Sequence, residues 1–387
     1  MSAPEPASAA DNGAVAGGNP LRHVHIVGTG LIGTSVGLGL RAHGVAVTLE
    51  DPSPTALAMS RDLGAGEPLP LESHAPCEPS LVVVAAPPDV AAAVVLAQLR
   101  RWPRAVVTDV ASVKAAVLDA LERENCSSAE LCRYVGSHPM AGRERSGTIG
   151  ARSDLFEGRP WVISAAPRSD PASRRAVEAL AKNLDAVVRR MAAEDHDAAV
   201  AAVSHVPQVA ASLVASRLRD LPPESVSLAG QGLRDVTRIA ASDPVLWTQI
   251  LAGNAGAVRE VLEEMAADLS VALDALRALE HDPEAAVGAR AVLARLVADG
   301  NAGHLRIPGK HGGGPTTYAV VQVLVPDRPG ELARLFNAIG AGGVNIEDLQ
   351  IEHEYGRMAG IAELTVVPPA ATGLRALLRE QGWTVYD

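Results

Sequence analysis

The chain has 387 residues, too many for one ordinary hydrophobic core, and a folded protein's composition: 48% hydrophobic, 20% charged and only 3% aromatic. A formal net charge of -11 argues against a nucleic-acid partner, although a pocket can still be locally basic. Cys77, Cys126 and Cys132 are too few and too unevenly spaced for a disulfide framework or a zinc site.

That cysteine usage suits a reducing, cytoplasmic setting, and no metal is expected. No apolar run reaches the length of a membrane span, so no membrane partner is expected either. Residues 1–20 are rich in Ala, Gly, Pro and Ser, lack the basic start and apolar centre of a signal peptide, and are expected to be disordered. A first strand is predicted at Val24-His25-Ile26-Val27, running directly into glycines. A helix over 32–43 and a second strand over 45–49 follow, the latter ending at Glu50-Asp51-Pro52. Further strands are predicted over 81–85, stopped by Pro87-Pro88, over 105–108 and over 161–164. Strands alternating with helix-length segments predict a parallel sheet with helices on both faces, a Rossmann-type α/β domain over 21–185.

From about 170 to 298 the chain has helical periodicity and few strand signals, giving an all-α domain over 186–299. Its segments 197–219 and 244–279 are too long and apolar for solvated single helices. They form either a plain bundle or one that also buries a partner subunit's helices. Residues 300–316, with Pro308, Pro315 and Gly312-Gly313-Gly314, read as a linker. After it come a strand to 325, the turn Asp327-Arg328-Pro329-Gly330, a helix over 331–341 and extended segments over 344–353 and 358–367. A helix over 371–381 and a last strand over 383–386 complete a β-α-β-β-α-β order, a ferredoxin-like small domain over 317–387.

Gly28-Thr29-Gly30-Leu31-Ile32-Gly33 lies between the first strand and helix. The first glycine permits a tight turn, the second lets backbone approach a pyrophosphate, and the third allows close helix–strand packing. About 20 residues on, an acidic residue ends the second strand, as ribose recognition requires. Asp51 is the first choice and Glu50 the second. A carboxylate there repels a 2′-phosphate, so NAD is expected rather than NADP. His138 stands in Gly136-Ser137-His138-Pro139-Met140-Ala141-Gly142, between a strand end and a Pro/Gly-rich loop. This is either a surface residue or a catalytic one at the carboxyl edge of the sheet. Thr108-Asp109-Val110-Ala111-Ser112-Val113-Lys114 could offer a hydroxyl and a cation to the same edge. Ser204-His205-Val206-Pro207-Gln208 interrupts a helix with proline. Arg234 and Arg238 lie four apart on one helical face, with Asp235 between them, ahead of Ser242-Asp243-Pro244 and Trp247; a solvated face is the alternative for these arginines.

Together with Asp195-His196-Asp197, these motifs make the chain resemble the prephenate/arogenate dehydrogenase family from about Leu21 onward. The tail Val325-Pro326-Asp327-Arg328-Pro329-Gly330-Glu331-Leu332 resembles an ACT domain. The resemblance implies that His138 accepts the hydrogen bond of the substrate's C4 hydroxyl and that Ser112 orients that hydroxyl or the histidine. Arg238 would bind a substrate carboxylate with Asp235 as its ionic neighbour, Ser204 and His196 would line the pocket, and Trp247 would wall it. Relatives often carry histidine where this chain has Gln208, a position that faces the substrate, which leaves arogenate open as the alternative to prephenate. The resemblance also implies a homodimer built on the helical domain, and a tyrosine effector held by Asp327, Pro329, Gly330 and Asn345.

Overall fold

A computed structural model describes residues 21–70, 78–141, 147–307, 318–353 and 359–386. The N-terminal 20 residues, Cys77, Gly142 and the linker prolines and glycines of 308–317 lie outside these. The chain divides into two compact units, Met1–Glu264 and Met265–Asp387.

The first unit opens with β1 (His23–Val27), α1 (Leu31–Ala42), β2 (Ala46–Glu50), α2 (Pro54–Asp62) and β3 (Glu67–Pro68). Then come β4 (Leu81–Val84), α3 (Pro88–Arg101), β5 (Val106–Asp109), α4 (Ala115–Arg123) and α5 (Ser128–Leu131). The strands form a parallel sheet in the order β3-β2-β1-β4-β5. Val27 stands opposite both Glu50 and Val84, and Val84 opposite Asp109, so the loops leaving β1, β2, β4 and β5 meet at one edge. The four residues of β4 are all fully buried, as a strand covered on both faces requires. Pro54 and Pro88 each open a helix in its first turn, where the missing N–H costs nothing.

A second sheet holds β6 (Gly136–Pro139), β7 (Pro160–Ser164) and, after α6 (Pro171–Asn183), β8 (Val187–Arg190). Its order is β6-β7-β8, with β6 antiparallel and β8 parallel to β7. A parallel bridge between Val107 and Tyr134 lays the chain entering β6 against β5. Two expectations change here. His138 sits inside a strand, opposite Val162, rather than on a loop. The helical stretch read from about 170 opens with α6 but is interrupted by β8, so the all-α part begins at Ala193 rather than at 186.

The helices then run α7 (Ala193–Val200), a π turn (Ala201–His205), α8 (Val206–Ser216), α9 (Pro223–Val226), α10 (Gln231–Thr237), a 3-10 turn (Arg238–Ala240), α11 (Pro244–Gly253) and α12 (Ala255–His281). Pro207 does not break the helix. It occupies the first turn of α8, and the wider π turn ahead of it absorbs the missing N–H and the ring's bulk. The unbroken run Ala193–Ser216 is, by length and composition, long and apolar enough to cross a membrane, contrary to the expectation from the sequence. It nevertheless carries buried His196, Asp197, His205 and Gln208, and His196, Asp197 and His205 bond to neighbouring elements.

The second unit takes in the rest of α12, α13 (Ala289–His304), β9 (Ala319–Pro326), α14 (Glu331–Ala341), β10 (Asp348–His353), β11 (Ala359–Val366), α15 (Pro368–Glu380) and β12 (Thr384–Tyr386). Helix α13 continues through Gly300 and Gly303, so the expected linker does not begin at 300. Two glycines, at roughly 1 kcal/mol each, do not outweigh a regular 16-residue helix. The four strands form an antiparallel sheet in the order β10-β11-β9-β12. Val321, Val323 and Val325 alternate into its core with Leu335, Ile339, Leu374 and Leu378 of the two helices.

Candidate active site

The glycine loop is shaped by close approach. Gly28 has φ +98°, and a Cβ on it would lie 2.4 Å from the Ala85 carbonyl oxygen; a Cβ on Gly33 would lie 1.9 Å from that of Gly28. Around Gly30 there is open space, and Gly30 caps α1 with no side-chain hydrogen bond and no acidic residue in the first turn. Free N–H groups at a helix N-terminus beside an open cradle suit a pyrophosphate. Asp51 stands against this loop: Oδ2 accepts from Thr29 N (2.6 Å) and Thr29 Oγ1 (2.9 Å), and Oδ1 from Ser53 N (2.7 Å). Glu50 is engaged elsewhere, with Arg101 at 2.6 Å and His25 at 3.3 Å. Of the two acidic candidates, Asp51 is therefore the one beside the cradle. Thr148 Oγ1, in a 3-10 turn (Thr148–Gly150) between β6 and β7, donates to the Thr29 carbonyl at 2.7 Å and closes the loop from that side.

His138 is the centre of the second group. It is partly exposed, and its Nδ1 lies 2.9 Å from His196 Nε2. His196 Nδ1 lies 2.7 Å from Asp197 Oδ1. Asp197 Oδ1 also accepts from Lys114 N (2.8 Å) and Oδ2 from Ala115 N (2.9 Å), so this carboxylate caps α4 from another helix. Burial, together with the nearby His196, Lys114 and His205, pushes the His138 imidazole well below the usual histidine range, so it is neutral at physiological pH.

Beneath His138 lies a buried polar network. Lys114 Nζ bonds Asp109 Oδ1 and donates to the Ser137 carbonyl at 2.7 Å, and Tyr134 OH donates to Asp109 Oδ2 at 2.7 Å. Thr108 Oγ1 donates to Ser137 Oγ at 3.0 Å, and Ser137 Oγ to the Asp109 carbonyl at 2.9 Å. The expectation that this segment offers a cation to the sheet edge is corrected, and of its hydroxyls Thr108 turns inward while Ser112 stays partly exposed. Thr108 and Lys114 are buried and hold β6 in place. Burial pushes the Lys114 ammonium down against the opposing pull of Asp109, and pushes the Tyr134 phenol well up.

Ser112 lies partly exposed on the loop between β5 and α4, two residues before Lys114. His196 is fully buried, which sets it behind His138 rather than on a pocket wall. Ser204 is half-buried in the π turn. Gln208 is buried, 3.4 Å from both Ser212 Oγ and Ser242 Oγ. Trp247 is half-buried and meets the ring of His205 edge-on at 6.1 Å. Arg238 and Asp235 are exposed, and Asp235 accepts from Gln231 Nε2 at 2.7 Å. Asp197, His205 and Asn254 were not singled out by the sequence as working residues. Asn254 Nδ2 donates to the Asp197 carbonyl at 2.7 Å and lies 3.1 Å from His205 Nδ1, pinning the junction of α11 and α12 to the π-turn helix. The local signals for them are an Asp-His-Asp triplet, the proline-bearing Ser204–Gln208 motif and an asparagine at a helix break.

Residues 36–190 match the prephenate dehydrogenase nucleotide-binding domain, and residues 192–285 the prephenate dehydrogenase dimerization domain. The chain is 36% identical over 366 residues to "Probable prephenate dehydrogenase NovF" of Streptomyces niveus, covering 94% of this chain and 99% of the relative. It is 29% identical over 250 residues to the prephenate dehydrogenase of Bacillus subtilis, covering 64% of each. Among solved structures, prephenate dehydrogenase from A. aeolicus, in complex with hydroxyphenyl propionate and NAD+, superposes with a TM-score of 0.61 at 26% identity. That match covers 73% of this chain and 98% of the other. Glycine cradle, acidic strand end, neutral histidine and helical half thus fall within one continuous likeness, and the chain belongs to the prephenate dehydrogenase family.

Proposed function

We propose that this protein is an NAD-dependent dehydrogenase of tyrosine biosynthesis that converts prephenate to 4-hydroxyphenylpyruvate and carbon dioxide. The observation that carries the reading is His138, held neutral and partly open at the edge where the nucleotide cradle lies, in a chain of this family. The residues fit the cofactor: the Gly28, Thr29, Gly30, Leu31, Ile32 and Gly33 backbone would hold the pyrophosphate, and Asp51 the ribose. NAD bound there supplies the hydride acceptor. His138 accepts the proton of the C4 hydroxyl, and Ser112 orients that hydroxyl. Arg238 pairs a substrate carboxylate through its planar fork, with Asp235 close in sequence to set its position. Ser204, Gln208 and Trp247 complete the pocket. Aromatisation on loss of the ring carboxylate drives the reaction forward, so the protein has chiefly to position groups and neutralise charge.

The test is turnover by the purified full chain with NAD or NADP against prephenate and arogenate. The reading predicts the highest kcat/KM with prephenate and NAD. Faster turnover of arogenate, which the glutamine at 208 keeps in view, moves the substrate assignment to that compound. His138→Asn should retain NAD binding and lose about two to four powers of ten in kcat. Near-normal turnover in that variant would remove His138 from the mechanism.

The proposal extends to the assembly. Residues 317–387 are read as an ACT domain of ferredoxin-like fold on the strength of the β-α-β-β-α-β order and the Asp327–Gly330 turn before α14. Asp327, Pro329, Gly330 and Asn345 would hold tyrosine as effector. The helical half is read as the interface of a homodimer working in the cytoplasm without a membrane.

A further inference from the structure

The hydrogen bonds around His138 set where its protons are. Asp197 Oδ1 accepts from the backbone N–H of Lys114 at 2.8 Å, so the 2.7 Å contact from His196 Nδ1 to the same oxygen is donated by the histidine. With Nδ1 donating, Nε2 is the His196 nitrogen placed to accept. That atom lies 2.9 Å from His138 Nδ1, so His138 donates, and His138 Nε2 is left as the ring's acceptor. The groups acting on His138 are Lys114, which pairs Asp109, His196 on α7, which bonds Asp197, and His205 on the π turn. A lasting positive charge on His138 is opposed by burial and by Lys114, whereas His196 donates directly to a carboxylate that two backbone N–H groups hold in place.

We propose that His138, His196 and Asp197 form a proton relay: as His138 Nε2 takes the substrate hydroxyl proton, the His138 Nδ1 proton passes to His196 Nε2, and the charge rests on His196 beside Asp197. The inference builds on the oxidation proposed above. The O–H bond breaks and His138 Nε2–H forms; His138 Nδ1–H breaks and His196 Nε2–H forms. The oxygen keeps its electron pair as the hydride leaves C4 for the nicotinamide. When carbon dioxide departs, the electrons of its bond to the ring complete the aromatic system. The product is a phenol, so the proton returns to oxygen along the same path, and none is gained or lost overall. His196 and Asp197 are positioning residues, since neither touches the substrate. The relay lets a base that resists carrying charge still act as one.

Two measurements on the unaltered protein test this. Nitrogen-15 NMR of histidine-labelled enzyme, with no substrate present, should show His138 protonated at Nδ1 and bare at Nε2; the Nε2–H tautomer would overturn the relay whatever the substrate proves to be. With substrate, the dependence of kcat on deuterium fraction should bow, as two protons in flight require; a straight line would overturn it. His196→Gln should lower kcat by about a hundredfold, the lower end of an acid–base contribution, with little change in substrate KM or NAD affinity. In that variant the deuterium dependence should straighten and the acid limb of the kcat–pH profile should move to lower pH. Asp197→Asn should shift the limb the same way. A variant with unaltered limb and bowed deuterium dependence would remove His196 from proton transfer. Failure to turn over any cyclohexadienol would defeat the functional reading and leave the tautomer result standing.

Discussion

His205 is almost wholly buried, and burial pushes its imidazole down to about 4, against the pull of Asp197. In an unfolded chain a histidine titrates near 6.5. Between these values the unfolded state binds more protons than the folded one, so stability rises with pH across the window and is lost as pH falls from 6.5 toward 4. His138 is depressed in the same sense and adds to this dependence. The melting temperature should therefore fall steeply between pH 6.5 and 5. His205→Gln, which can still accept from Asn254, should flatten part of that slope; an unchanged slope would show that the burial of His205 is not its source. At the other end of the site, Asp51 already accepts three hydrogen bonds. A carboxylate has roughly four acceptor positions, so one remains for a ribose hydroxyl. Arg61, the basic residue nearest in sequence that could pair a 2′-phosphate, is forked onto Asp62 at 3.0 and 2.8 Å. Asp51→Ala should lower the ratio of kcat/KM for NAD over NADP by about tenfold, or roughly 1.4 kcal/mol. An unchanged ratio would place discrimination elsewhere.

Helix α12 carries Met265, Leu269, Leu273 and Leu276 at spacings of four, four and three, an apolar stripe on one face, and all four are exposed in the single chain, Leu269 by 61%. A stripe of this kind in a segment matching a dimerization domain fits burial against a second copy. Obligate interfaces bury more than about 2,000 Å². Light scattering of the full chain should give a dimer, and Leu269→Arg should shift it toward monomer; a wild-type monomer at working concentration would refute the interface. The helix and its apolar excess over 244–279 were legible because helical periodicity is local. So were β1, α1 and the glycine loop, where β-branched residues and glycines act within a few positions of themselves. Strand β6 was not: Gly-Ser-His-Pro has no β-branched residue, and it is extended because β7 pairs with it from about 25 residues away. Strand β8 and the continuation of α13 past Gly300 escaped for the same reason, since tertiary packing overrode weak local preference. Within the site, His138 was found by its motif. Its support was hidden because Asp197 reaches Lys114 across 83 residues and Asn254 reaches Asp197 across 57.

At the scale of the whole molecule, the division at Glu264 and Met265 separates the residues assigned to cofactor and His138 from the C-terminal sheet. That sheet has its own core, in which Val321, Leu364, Leu374 and Leu378 are fully buried, and Arg334 stacks over the Trp383 ring at 3.7 Å. The residues assigned to the proposed chemistry all belong to the first unit. Gly330, at φ +90°, turns the chain into α14 and leaves Asp327 and Pro329 exposed, while Asn345 follows that helix with its amide 2.9 Å from Glu347. If tyrosine binds there, its influence on the site at His138 is a coupling free energy, and tyrosine and substrate must alter each other's affinity by the same factor. A chain ending before Thr317 should stay active and lose most of its inhibition by tyrosine. Asn345→Ala in the full chain should weaken inhibition without changing basal kcat. Full tyrosine sensitivity in both would assign inhibition to competition at His138 and Arg238, where a phenol with a carboxylate resembles the product. Reciprocity separates the two cases further. Competition at one site makes tyrosine raise the apparent substrate KM without limit, whereas coupling between two sites makes the effect level off at a fixed factor once the second site is full.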